Sequence, residues 1–228
     1  PATRVYDIYE DHAGNEWVLT NNGLGMLAAG NRTMASYFVE TAKQEKGKGQ
    51  FFYVAQEYGN EIFFGSDHGR IWRYQKQGGQ FELLQLPASS RIVEIKKINE
   101  QAILIVTKTD GFFVYDVASK GMEHYEASRL PKAPVRSAYM DKYSEIWFEQ
   151  EVPGTVAHFN AKTKVLKTEV IPVEPTSTDR SRPAFHVHED IYGTVWVHPY
   201  GGGFSRFDRE NNRLQSFYNG LSDANWRF

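Results

Sequence analysis

The chain has 228 residues, 41% of them hydrophobic and 14% aromatic, with a formal net charge of -2. That is enough apolar material for a sizeable core and too little chain for several large domains. The absence of cysteine excludes disulfides, Cys-ligated zinc and cysteine nucleophiles, and no block of like charge suggests a nucleic-acid arm. The basic stretch from Lys43 to Lys48 is broken by Gln44, Glu45 and Gly47 and reads as a solvated loop. No run approaches the 18 apolar residues of a membrane span, and no signal peptide opens the chain.

The first element in chain order is an extended run over residues 5–10. It leads into Asp11-His-Ala-Gly14-Asn-Glu-Trp17, an acidic turn followed by a tryptophan strand. The pattern returns as Asp190-Ile-Tyr-Gly193-Thr-Val-Trp196. Looser copies lie between: Glu57-Tyr-Gly59-Asn-Glu-Ile62, Asn99 to Leu104, and Asp141-Lys-Tyr-Ser144-Glu-Ile-Trp147. The markers 17, 62, 104, 147 and 196 are spaced 45, 42, 43 and 49 residues apart. A period of roughly 40–45 residues is what one four-stranded propeller blade needs.

Each copy reads as four strands. The first strands are predicted over 5–10, 51–56, 92–98, 135–140 and 185–189. After the turn, where Asp bonds its own backbone and Gly supplies positive φ, comes a continuous apolar strand. A polar loop ending in Gly23, Gly69, Gly111, Gly154 or Gly203 leads to the third strand. The fourth alternates, as Arg213 to Phe217 does, and suits an outer edge. Strands buried on both faces read as unbroken apolar runs, so the copies must stack on one another. The fold class expected is all-β: a β-propeller of four-stranded antiparallel blades, with repeats at 1–49, 50–90, 91–133, 134–183 and 184–224. Residues 225–228 read as the start of a further strand, which predicts a piece of a larger array. The polar spacer at 41–50 and the proline-bearing stretch at 172–183 read as loops between blades.

The run Ile8-Tyr-Glu-Asp11-x-x-Gly14-x-x-Trp17-x-x-Thr20-x-x-Gly23-Leu24 is similar to the regulator-propeller repeat. So is Val187-His-Glu-Asp190-x-x-Gly193-x-x-Trp196, and Phe217 to Asp223 resembles the junction between consecutive repeats. Such repeats characterise the ectodomains of hybrid two-component regulators in gut Bacteroides and relatives. The resemblance implies a periplasmic sensor that detects a carbohydrate fragment and signals to a histidine kinase fused to a response regulator, in a homodimer formed through the parent protein. Nothing in these residues encodes the kinase.

Ligand contacts are expected on the loops between second and third strands, held at one end by a rigid frame. These loops supply Asn21, Asn22, Asp67, His68, Asp110, Gln150, Glu151, His198 and Tyr200. Amides, carboxylates and an aromatic ring suit an oligosaccharide, although turns also favour such residues. His186 and His188 share a strand face and, with His198 or Glu189, have a metal-like look. Glu189 should point to the opposite face, so two histidines packed between blades are expected instead, with no metal and no cofactor. Asp11, Asp141 and Asp190 recur once per copy, the spacing of a structural turn and not of a carboxylate pair. Gly201-Gly-Gly203 lacks the Lys-Ser/Thr of a phosphate loop. The segment is therefore expected to bind and not to catalyse, with no nucleic-acid or membrane contact. A propeller lyase or glycan-cleaving enzyme, or a protein-interaction scaffold, are the alternatives.

Overall fold

The computed structural model describes residues 4–38, 50–151, 154–170, 185–199 and 204–217. It is an all-β protein, a β-propeller fold of five four-stranded antiparallel blades in chain order. The first blade is β1 (Val5–Glu10), β2 (Glu16–Thr20), β3 (Gly23–Leu27) and β4 (Met34–Tyr37). The second is β5 (Phe52–Tyr58), β6 (Glu61–Ser66), β7 (Arg70–Gln75) and β8 (Gln80–Gln85). The third is β9 (Ile92–Lys97), β10 (Ala102–Thr107), β11 (Phe112–Asp116) and β12 (Met122–Tyr125). The fourth is β13 (Val135–Met140), β14 (Glu145–Gln150), β15 (Thr155–Asn160) and β16 (Val165–Val170). The fifth is β17 (Phe185–Glu189), β18 (Val195–Pro199), β19 (Phe204–Asp208) and β20 (Arg213–Phe217). Only the 3-10 turn Ala127–Arg129 is helical among the described residues, so no helix there is long and apolar enough to cross a membrane. The basic stretch at 43–48, the proline-bearing stretch at 172–183, Gly201 to Gly203 and the expected strand start at 225–228 lie outside the described residues.

Two compact units divide the chain, residues 1–123 and 124–228. In the first, β6 shows why second strands read as unbroken apolar runs. Ile62 and Phe64 join Trp17, Leu19 and Phe52 in one core, while Phe63 joins Ile92, Ile103 and Ile105 in another. Both faces of the strand are covered by neighbouring blades. Each fully buried Phe or Ile is worth about 1.5–3 kcal/mol relative to exposure. At Gly65 a Cβ would sit 2.7 Å from Val54 of the same blade and 2.8 Å from Ile92 of the next. In the second unit, Trp147, Val156, Phe185, Val197 and Phe207 form the equivalent core.

The Asp-x-x-Gly-x-x-Trp motif has one physical explanation in its two full copies and in the copy at Asp141, where Ser144 replaces the glycine. Asp11 Oδ1 accepts from the backbone N–H of Ala13 and Asn15, and Oδ2 accepts from the Trp17 indole at 3.1 Å. Asp141 does the same with Tyr143, Glu145 and Trp147, and Asp190 with Tyr192, Thr194 and Trp196. One carboxylate thus closes the turn and orients the ring that fills the core. Gly14 and Gly193 adopt φ +77° and +83°, and Ser144 takes the same left-handed conformation at 67°. The tryptophans split as their neighbours dictate. Trp17 packs on Phe64 and Tyr74 of the next blade and Trp147 on Phe207, whereas Trp196 is half-buried against Phe204 and Phe217 of its own blade.

The second copy departs from the expected register. Its turn holds only Gly59 and Asn60, since Tyr58 pairs with Glu61. The residue opposite Gln56, where Trp17 stands opposite Tyr9, is therefore Phe63 and not Ile62. Ile62 faces the preceding blade instead.

A second device links consecutive blades. Glu57 Oε2 accepts from the backbone N–H of His12, in the turn of the preceding blade. Glu189 Oε2 accepts from the backbone N–H of Lys142 and from the Tyr139 hydroxyl. Burial works against the Glu57 charge, but Lys76 and His12 hold its carboxyl below the ordinary range. Burial likewise opposes the Asp11 charge, and Asn15, Trp17 and the turn N–H groups more than offset it. Depressed carboxylates stabilise the fold fully above their unfolded values of 3.8 for Asp and 4.5 for Glu, and the contribution is lost as pH falls through the lower folded values. Thermal midpoints recorded between pH 6 and pH 2.5 should fall most steeply below about pH 4, and less steeply in Glu57→Gln. Equal slopes for the two proteins would remove Glu57 from this role.

Candidate functional site

The loops between second and third strands lie beside the entries to the first strands, tied by backbone hydrogen bonds. In the first unit Asn21 N donates to Arg4 O, Gly23 N to Gln50 O, Gly69 N to Ser90 O and Lys108 N to Arg91 O. In the second, Glu151 N donates to Pro134 O. The Asp turns sit at the other end of their strands, as a repeated structural role requires.

Most of the expected ligand residues are already engaged. Asn21 Oδ1 accepts from Arg4 N at 2.7 Å. Asp110 accepts from the backbone N–H groups of Ser89 and Ser90, and despite burial its bonds to the side chains and backbone of these two serines hold its carboxyl below the ordinary range. Gln150 is wholly buried, its amide donating to the carbonyls of Pro131 and Ala133, so it fastens a loop and faces no solvent. Glu151 pairs with Arg136 at 3.0 Å. Asn22 anchors its turn through its backbone N–H on Thr20 Oγ1. Asp67 accepts from the Tyr53 hydroxyl at 3.0 Å. His68 and His198 are exposed, the former with Nδ1 3.1 Å from Ser89 O. Tyr200 lies outside the described residues.

The histidines lie on the side of the fifth blade turned away from the fourth. His186 sits opposite His198 and His188 opposite Trp196 on one exposed face of β17 and β18. Phe185 and Val187 take the alternate positions and turn toward the Trp147 core. Glu189 faces that side too, bonded to Tyr139, and burial with Glu189 pushes the Tyr139 phenol up to about 12. Among the described residues no group of three or more His, Asp and Glu is placed to hold a metal ion.

What sequence reasoning missed is a bulge in the first strand of four blades. The ladder skips Tyr6, Tyr53, Val93 and Arg136. A bulge leaves one residue unpaired and re-aims its side chain. In the first unit two of these re-aimed residues are tyrosines, with ring centroids 4.7 Å apart. Arg4 lies 5.3 Å from the Tyr6 ring and Arg91 lies 4.9 Å from the Tyr53 ring. Burial and then the Asp67 charge raise the Tyr53 phenol, which stays protonated and donates to that carboxylate. The signal in the sequence was faint: an aromatic two residues inside the first strand of only two copies.

No family model matches the chain, and no curated protein matches it by sequence. Its fold is similar to that of several solved structures. The extracellular domain of the hybrid two component system BT3049 from Bacteroides thetaiotaomicron aligns over 94% of this chain at 17% identity, with a TM-score of 0.67. That of BT4673 from the same organism aligns over 96% at 15% identity, with a TM-score of 0.68. The chain spans only 30% and 28% of those two structures. Virginiamycin B lyase from Staphylococcus aureus aligns over 93% of this chain and 83% of its own length, at 14% identity and a TM-score of 0.55.

Proposed function

We propose that the chain is a non-catalytic ligand-sensing segment of a longer extracytoplasmic signalling protein, of the hybrid two-component kind, located in the periplasm. Its ligand is an oligosaccharide held at the loop end of the blades, and the kinase it informs is carried elsewhere in a homodimeric parent. The observation behind this is the fold likeness to the extracellular domains of two such systems along nearly the whole chain. The regulator-propeller motifs, with their Asp-to-Trp hydrogen bonds, favour the same reading. The exposed His68 is the expected loop residue most accessible to a sugar.

The likeness to virginiamycin B lyase favours a second reading, a lyase acting at the same end. Two assays separate them. A glycan array followed by calorimetry should detect an oligosaccharide that binds and is recovered intact. Silence across plant and host glycans would count against sensing of sugars. Time-dependent cleavage of a bound glycan, or of a streptogramin, would favour the lyase.

A further inference from the structure

We infer that the bulged tyrosines Tyr6 and Tyr53, together with Arg91 and Arg4, form a binding site for an acidic sugar, one bearing a carboxylate or sulfate. This rests on the sugar-sensing reading above and narrows it to a site and a ligand charge.

The argument starts from the backbone. In a regular strand Phe52 and Val54 would share one face and Tyr53 would take the other, but Phe52 and Val54 are buried in two different cores. The bulges at Val5/Asp7 and Phe52/Val54 take Tyr6 and Tyr53 out of that alternation. Both stay only partly buried, at the end of the blades where the strand entries meet the loops. Bulges bend a strand at the expense of ladder hydrogen bonds and are over-represented beside binding sites. The result is a pair of aromatic rings in contact, tilted 51° to each other. Such rings offer faces and edges on which the C–H surface of a sugar can pack.

The charges around the rings give the preference for an anion. The guanidinium groups of Arg4 and Arg91 lie over Tyr6 and Tyr53. Arg91 Nε is buried and makes no hydrogen bond, so an incoming carboxylate would have to approach this guanidinium through its terminal nitrogens. Arg70, whose Nε donates to Asp67 O, adds a third cation at this end. The nearby carboxylates accept from neutral donors, which does not cancel their charge. Asp67 takes the Tyr53 hydroxyl on both oxygens, and Asp110 takes Ser89 and Ser90. An incoming anion thus meets three guanidinium groups, Arg4, Arg70 and Arg91, against the two carboxylates of Asp67 and Asp110.

The test is calorimetry on the chain with tetragalacturonate and, in parallel, a neutral tetrasaccharide of glucose. The acidic probe should bind and the neutral one should bind at least tenfold more weakly. Arg91→Gln should weaken the acidic probe about tenfold or more and Tyr6→Ala about three- to tenfold, the ranges for losing a charge-assisted hydrogen bond and an aromatic contact. Unchanged near-ultraviolet circular dichroism and thermal midpoint in each variant would show that the blades still fold. Equal affinity for both probes, or acidic binding indifferent to Arg91→Gln, would overturn the site. A glycan array on which only neutral sugars bind would also overturn it while leaving the sensing reading intact. Silence on every glycan would end both.

Discussion

Replacing Trp147 with alanine is expected to destabilise the second unit by about 3–5 kcal/mol, the range for deleting a large buried aromatic. Trp147 is fully buried, stacks on His158 at 4.6 Å and meets Phe207 edge-on at 4.8 Å. Deleting it empties the space between the fourth and fifth blades. It also removes one of the two side-chain donors to Asp141 Oδ2, leaving Arg209 as the other. In a chain of this size that loss lowers a thermal midpoint by roughly 10 °C. Trp196→Ala is the control. The same motif places it, but the half-exposed ring packs within its own blade and should cost less than half as much. Urea denaturation of both variants, followed by tryptophan fluorescence, checks the contrast. Equal costs would mean that the indole serves the turn alone and not the junction between blades.

Asp141→Ala should be nearly as damaging, at about 2–4 kcal/mol, because it leaves several buried donors without partners. The carboxylate is inaccessible to solvent and receives four hydrogen bonds, from Tyr143 N, Glu145 N, Trp147 Nε1 and Arg209 Nη2. Asp141→Asn should recover part of the loss. Its amide oxygen can still accept from the two backbone N–H groups, while its NH₂ group opposes the indole and the guanidinium. The order expected in urea midpoints is wild type, then Asn, then Ala. An alanine variant as stable as wild type would deny the carboxylate its part in closing the turn.

These two residues also show what was legible in advance. The Asp-x-x-Gly-x-x-Trp spacing locates a turn and a core ring because the carboxylate physically connects them, so a motif recurring at 11, 141 and 190 announces the blade. Second strands were legible because β6 is buried on both faces and tolerates only apolar residues. Register was less legible. The shortened turn at Gly59 and Asn60 moves the marker to Phe63, and periodicity cannot reveal a one-residue deletion between two adjacent apolar residues.

The site was harder to read for a different reason. Asn21, Asp110 and Gln150 have the side chains that sugars like, but so do the loops that must satisfy their own backbone, and here the backbone took them. Tyr6 and Tyr53 were passed over because alternation places them in a strand, and only the ladder shows that the strand skips them. A bulge has no composition of its own.

Indole N–H hydrogen exchange, followed by NMR of the nitrogen-15 labelled protein at neutral pH, tests most directly whether neighbouring blades bury their flanks on each other. The indole protons of Trp17 and Trp147, each bonded to a turn aspartate and covered by the next blade, should exchange orders of magnitude more slowly than that of Trp196. Three indole protons exchanging together at the rate of free tryptophan would contradict it.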